Sequence, residues 1–256
     1  MLDVLSTADI LIAARKEGTI VTLPELPRSL DESYAVQDAI IARIGNPVLG
    51  WKAAFTNAVA MEKMKTDEPA LGPLFEEWVY RSGEEVPTPD NCLRRIECEY
   101  AFQLAHGLQA RDAPYTAEEV GNAVGSLHPA IEIVHSRVVD AFDIGARALV
   151  ADHCVNFAFV YGPGVSDWRG LDLVNQPVTL SVDGEAAAQG SGADVMGDPL
   201  QSLAWLVNKL SGRGRNLTAG AFVTTGSCTG MHPVPRRCKL VADFGPLGRC
   251  EATCTA

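Results

Sequence analysis

Apolar and polar positions alternate most clearly over Ile96-Glu97-Cys98-Glu99-Tyr100-Ala101-Phe102-Gln103-Leu104-Ala105. That period predicts a β-strand, because residues two apart share a face. Ile96, Cys98, Tyr100, Phe102 and Leu104 make the apolar face, and Glu97, Glu99, Ala101 and Gln103 the other. Upstream the period lengthens. Residues 3–17 predict an amphipathic helix with Leu5, Ala8, Leu11 and Ile12 inward, stopped near Gly18. Ser29-Leu30-Asp31-Glu32 is a capping-box pattern opening a second helix, with Val36, Ile40, Ile41 and Ile44 at helical spacing and Gly45-Asn46-Pro47 at its end. Period two returns over Val48–Phe55, with Leu49, Trp51 and Phe55 on a bulky face and Gly50, Lys52 and Ala54 on a small one. A short helix is expected over Ala58–Lys65, and the Pro and Gly content of Asp67–Leu74 predicts a loop.

Beyond the acidic strand, Thr116-Ala117-Glu118-Glu119 is another capping box, for a helix running to about Leu127. His128–His135 is strand-like, Asp140–Val150 a connecting helix, and Val155–Val160 a buried strand. Asp183-Gly184 between Val178–Val182 and Glu185–Gln189 predicts a type I′ hairpin. Asp198-Pro199 caps a helix over Leu200–Leu210, and strands are expected at Phe222–Thr225, Cys238–Phe244 and Arg249–Thr253. The order is α+β: a mainly helical portion over residues 1–75, then a β-rich core over 76–256.

Composition narrows the function classes. The 256 residues are 47% hydrophobic and 21% charged, enough for a real core. A net charge of −11 without a basic stripe argues against nucleic acid and against anionic membranes. No stretch approaches ~20 apolar residues, and the N-terminus lacks the basic and apolar regions of a signal peptide. Seven scattered cysteines without a C-x-x-C pair read as reduced thiols, so a cytoplasmic location is expected.

Three carboxylates are the candidate chemistry. Glu97 and Glu99 point the same way, their Cα atoms roughly 6.7 Å apart at strand rise. Glu132 is the lone acid of its strand, with Ala130 and Val134 as face neighbours. Together they would form an open oxygen site for a hard divalent ion; the same spacing also fits an edge strand whose acids face water. Lys52, between two small residues, either projects into a cavity or snorkels from an edge. His135 and His153 are acid–base candidates or hydrogen-bonded pocket-rim residues. No dinucleotide fingerprint, phosphate loop or G-x-S-x-G elbow is present.

Several segments in order resemble the 2-keto-4-pentenoate hydratase / 4-oxalocrotonate decarboxylase family of the fumarylacetoacetate-hydrolase-like superfamily. These are Gly50-Trp51-Lys52 with Thr56, Leu71-Gly72-Pro73-Leu74-Phe75, Glu97-Cys98-Glu99-Tyr100-Ala101-Phe102, Pro129-Ala130-Ile131-Glu132, Asp198-Pro199-Leu200, Val223-Thr224-Thr225-Gly226 and Asp243-Phe244-Gly245-Pro246. The resemblance implies a mixed β-roll or sandwich core behind an N-terminal helical portion. It implies Mg²⁺ or Mn²⁺ on Glu97, Glu99 and Glu132, an electrostatic or proton-transfer role for Lys52, and a loop acid in Asp67. It also implies substrate contacts at Leu71, Gly72, Asp152, Thr225 and Gly226. The activity implied is hydration of a small 2-hydroxydienoate or unsaturated 2-oxo acid, with decarboxylation of a 2-oxo diacid as the alternative. Acylpyruvate hydrolysis, a third chemistry of the superfamily, normally needs an N-terminal His–Glu pair, and the first 90 residues hold no His. A binding module that keeps the fold without turnover is the non-enzyme reading. The family's D-S-R and D-N-A-S segments read His135-Ser136-Arg137 and Asp152-His153-Cys154-Val155 here. His153 is therefore expected at the pocket as a base or a reader of the substrate's tail. A homo-oligomer is expected.

Overall fold

The computed structural model describes residues 2–255. In chain order the elements are α1 (Val4–Glu17), α2 (Leu30–Arg43), β1 (Val48–Ala54), α3 (Ala58–Lys63), β2 (Ala70–Phe75), β3 (Val79–Arg81) and β4 (Glu85–Pro87). Next come β5 (Arg95–Leu104), α4 (Ala117–Ala123), β6 (Val124–Val134), α5 (Ala141–Ile144), α6 (Ala146–Ala151) and β7 (Asn156–Tyr161). The chain closes with β8 (Pro177–Val182), β9 (Glu185–Ser191), α7 (Pro199–Ser211), β10 (Phe222–Ser227), β11 (His232–Pro233), β12 (Cys238–Asp243) and β13 (Arg249–Thr255).

Two mixed sheets carry the molecule, one in the order β2-β1-β10-β5-β6-β7-β3 with β11 also on β5, the other β4-β13-β12-β8-β9. The main core lies where their apolar faces meet, with Ile96, Cys98, Tyr100 and Phe102 of β5 at its centre. A second cluster, with Leu11, Val36, Ile40 and Leu149, seats α1 and α2 on α6. The α+β architecture with N-terminal helices is therefore as the pattern implied. Residues 48–75, grouped by pattern with the helical portion, contribute β1 and β2 to the large sheet. Among the described residues, no helix is long and apolar enough to cross a membrane.

Local signals account for most boundaries. Asp3 caps α1 through the Ser6 N–H, and Gly18 ends it at φ 65°. The Thr116 capping box is complete, whereas at Ser29 the Glu32 carboxylate takes the Arg28 N–H instead of closing the box. Asp183 and Gly184 both have positive φ, as a type I′ turn requires.

Three expectations change. α4 ends at Ala123 because Val124 onward pairs with β5. The 140–150 helix breaks at Gly145, φ 97°, into α5 and α6. The Asp67–Leu74 loop contains β2, an edge strand that bonds only β1, so Pro73's missing N–H costs no ladder bond. The short strands β3 and β4 carried too little pattern to be predicted at all.

Candidate active site

Register brings the acids together. In the antiparallel β5–β6 pair, Glu97 stands directly opposite Glu132 and Glu99 opposite Ala130. Each of the three carboxylates offers an oxygen within 4.8 Å of the others. Glu99 and Glu132 are buried at 1% exposure, while Glu97 is half-buried. The edge-strand alternative therefore fails, since β5 lies between β10 and β6.

Each buried carboxylate has one oxygen committed and one free. Glu132 Oε1 accepts from Lys52 Nζ at 3.0 Å and from Asn156 Nδ2 at 2.9 Å. Glu99 Oε2 accepts from the Gly226 N–H at 3.0 Å. Glu132 Oε2 and Glu99 Oε1 are buried without a hydrogen-bond partner. A bulge aims that Gly226 amide: Thr224 faces Ala101 and Ser227 faces Glu99, one residue more on β10 than on β5. Only glycine fits there, because φ is 99° and a Cβ would stand 2.2 Å from Thr56 Oγ1.

Burial raises the Glu97 carboxyl above its ordinary value; Lys52 opposes this and Glu132 adds to it. Glu99 is driven well up, first by burial and then by the charges of Glu132 and Glu97. For Lys52, burial alone would lower the ammonium, but Glu132, Glu97 and Glu99 raise it above its usual value. Lys52 is accordingly a cation, and an acid rather than a base. Two orphaned carboxylate oxygens beside a third acid make a costly arrangement without a counter-charge. An all-oxygen donor set of this kind suits Mg²⁺ or Mn²⁺.

The site opens into a cavity of about 880 Å³ lined by Lys52, Glu97, Cys154 and Gly226, among others. Apolar surface comes from Phe55, Val134, Phe142 and Met231, and two further cations, Lys63 and Arg95, also line it.

Several expected site residues lie elsewhere. His153 is fully buried outside the lining, its ring edge-on to Phe75 with centroids 5.2 Å apart. Burial, then Arg137 and Arg15, hold its imidazole well below the usual range. The reason is the backbone: His153, Cys154 and Val155 all have positive φ, a turn that sends Cys154 into the cavity and His153 away from it. Asp152 is a structural anion, bound by the Arg137 Nε and N–H, each at 2.7 Å. Asp67 is exposed on the loop before β2 and outside the lining. Leu71 and Gly72 are buried in β2 and also outside the lining. The Leu71 carbonyl accepts from Gln37 and Cys154, and a Cβ on Gly72 would sit 2.4 Å from the His153 carbonyl oxygen. Thr225 is buried beneath the bulge and donates to the Tyr100 carbonyl. His135 is also buried, accepting the Leu93 N–H at Nδ1.

The pattern missed Asn156 and Arg95. Asn156 opens β7 and looks like an ordinary strand-start polar residue. Arg95 carried a signal that was passed over, since it stands two before Glu97 on the same strand face.

Residues 48–253 match the fumarylacetoacetate hydrolase C-terminal domain family. A 2-keto-4-pentenoate hydratase of Paraburkholderia xenovorans strain LB400 is 32% identical over 209 residues, 80% of this chain and 76% of that protein. A 4-oxalocrotonate decarboxylase of Pseudomonas sp. strain CF600 is 31% identical over 206 residues, 79% of this chain and 77% of that one. The solved structure of 4-oxalocrotonate decarboxylase from Pseudomonas putida G7, complexed with magnesium and adipate, superposes with a TM-score of 0.87 at 27% identity. That superposition covers 97% of this chain and 96% of that one.

Proposed function

The chain belongs to the fumarylacetoacetate hydrolase family, and on that premise we propose that it is a divalent-metal-dependent lyase adding water to a small 2-hydroxydienoate or unsaturated 2-oxo acid. The observation that carries the reading is the convergence of Glu97, Glu99 and Glu132, two of them with an orphaned buried oxygen, at a cavity that also holds the Lys52 ammonium. Hydratases among the relatives support the reaction class. Magnesium in the decarboxylase structure supports the metal.

Glu97, Glu99 and Glu132 would hold the ion, which supplies Lewis acidity toward a 2-oxo acid when bound. Lys52 places a buried positive charge at the cavity wall, where it would stabilise negative charge developing on the 2-oxo oxygen. Against the effect of burial, the surrounding carboxylates raise its pKa, so the side chain stays an ammonium and carries its positive charge at the site. Asn156 holds Glu132 Oε1 and leaves Oε2 without a hydrogen-bond partner. Phe55, Val134 and Val155 shelter the apolar stretch of a short unsaturated chain.

The proposal extends to a homo-oligomer in the cytoplasm, a location supported by seven buried cysteines, none in a disulfide.

The test is mass spectrometry of products after incubation with Mg²⁺ and a panel of 2-hydroxydienoates and 2-oxo diacids. Addition of 18 mass units is expected for one water; CO₂ release without water addition replaces this reading with decarboxylation.

A further inference from the structure

β7 begins with an irregularity beside the site. In its ladder with β6, Ile133 faces Ala158 and Val134 faces Asn156, so Phe157 is one residue more on β7 than β6 can match. β3 pairs with β7 along its other edge, but only from Phe159 to Tyr161. The start of β7 is completed by a side chain instead. Arg15, in the last turn of α1, donates from Nη1 to the Asn156 carbonyl at 2.6 Å and from Nη2 to the Phe157 carbonyl at 2.7 Å. Consecutive carbonyls of a regular strand point to opposite edges, and the bulge turns these two toward one guanidinium fork.

The fork is itself confined. Its carbon lies 3.4 Å from the centre of the Trp78 ring and 5.9 Å from that of Phe157. Arg137 Nη1 shares the Asn156 carbonyl at 3.0 Å, and Asp152, paired with Arg137, supplies the anion between two neighbouring guanidiniums. Arg15 does not line the cavity. Its partner Asn156 reaches inward, donating from Nδ2 to Glu132 Oε1 at 2.9 Å. α1 also lies outside residues 48–253, the span that matches the family.

We propose that Arg15 is a positioning residue for the metal centre: by bonding the bulge carbonyls it sets the Asn156 amide, which in turn fixes Glu132. The inference rests on the reading of Glu97, Glu99 and Glu132 as the ligands of a divalent ion. Without the guanidinium, the Phe157 carbonyl loses its side-chain donor and the Asn156 carbonyl one of two. Buried carbonyls do not stay unpaired, so the end of the strand shifts to recover a partner, and the Asn156 side chain moves with its backbone. Glu132 then keeps Lys52 but loses the second donor that selects its rotation. The N-terminal helix is thereby part of the frame of the site as well as cover for an apolar core.

Titration calorimetry with Mg²⁺, alongside urea titration of the metal-free protein, tests this. Arg15→Met should weaken Mg²⁺ binding by roughly tenfold, the lower end of the effect of removing a group that orients a ligand. Arg15→Lys keeps the charge and one donor, should fall between wild type and Arg15→Met, and carries the test if Arg15→Met does not fold. Leu180→Ala, a buried truncation in the other sheet, should lower urea stability yet leave Mg²⁺ affinity within about twofold. Adding Arg15→Met to Asn156→Leu should weaken Mg²⁺ binding no further, since both act on Glu132 by one route. Unchanged Mg²⁺ affinity in the folded Arg15 variants overturns the proposal, as do additive losses in the double variant or an equal affinity loss in Leu180→Ala. A wild type that binds no divalent ion refutes the metal reading, and this positioning role with it. An Mg²⁺ site that depends on Arg15 in a protein that hydrates no dienoate would uphold the positioning role and refute the proposed reaction.

Discussion

Glu132 shows how one carboxylate is divided between two tasks. Its Oε1 takes Lys52 and Asn156, and Asn156 is itself pinned by Arg15 and Arg137, which donate to its carbonyl at 2.6 and 3.0 Å. That chain fixes the carboxylate's rotation and leaves Oε2 free of any hydrogen bond. Asn156→Leu should therefore lower Mg²⁺ affinity by roughly 10- to 100-fold, the usual effect of removing a group that orients a ligand. Titration calorimetry reads this directly, and unchanged affinity would show that Glu132 orients without Asn156. Lys52 has a different signature. Removing one member of a buried ion pair costs about 3–5 kcal/mol when nothing replaces its charge. Lys52→Met should thus destabilise the metal-free protein more than the metal-loaded one, while turnover falls by ~10²-fold or more. Equal destabilisation in EDTA and in Mg²⁺ would place Lys52 outside the charge balance of the site.

At the scale of elements, position comes from register and from two irregularities. A one-residue slip between β5 and β6 would turn Glu97 and Glu99 into the apolar core, so the alternation of β5 locks the triad. The bulge in β10 delivers the Gly226 amide to Glu99. Gly226→Ala meets both a positive φ and the Thr56 side chain, and should lower stability by about 2 kcal/mol or more while weakening Mg²⁺ binding. Chemical denaturation with and without Mg²⁺ measures both effects. The second irregularity is the turn at His153, Cys154 and Val155. Because it faces His153 away from the cavity, His153→Asn, which tolerates positive φ, should leave kcat and kcat/KM within about twofold. A large fall in kcat alone would return the imidazole to the reaction.

For the whole molecule, the site and the fold stabilise each other. Mg²⁺ at 100 times its Kd should add about 2.7 kcal/mol, or roughly 5–10 °C in Tm for a chain of this size. Glu97→Gln should abolish most of that increment in a thermal melt. His135 adds an acid sensitivity remote from the triad. Burial, then Arg137, Arg15 and Arg94, push its imidazole down to about 3, against ~6.5 in an unfolded chain. Above pH ~6.5 neither state holds the proton, and the contribution is constant. Between ~6.5 and about 3 the unfolded chain takes up a proton that the native state refuses, so stability falls as pH falls. His135→Asn should reduce the stability lost between pH 7 and pH 5 by ~2 kcal/mol in urea titrations. Much of this protein was legible in one dimension. The period-two pattern of β5, the caps at Asp3 and Thr116, and the Asp183-Gly184 turn are local physics, set by neighbours a few residues apart. The three acids and Lys52 were legible for the same reason, as charges misplaced within apolar strands. Tertiary structure alone decided that Glu97 faces Glu132 and that Asn156 reaches the latter's oxygen. It alone decided that Pro73 lies in an edge strand and that His153 faces Phe75. Those outcomes depend on strand pairing and backbone turns between segments far apart in the chain, and no local period encodes them.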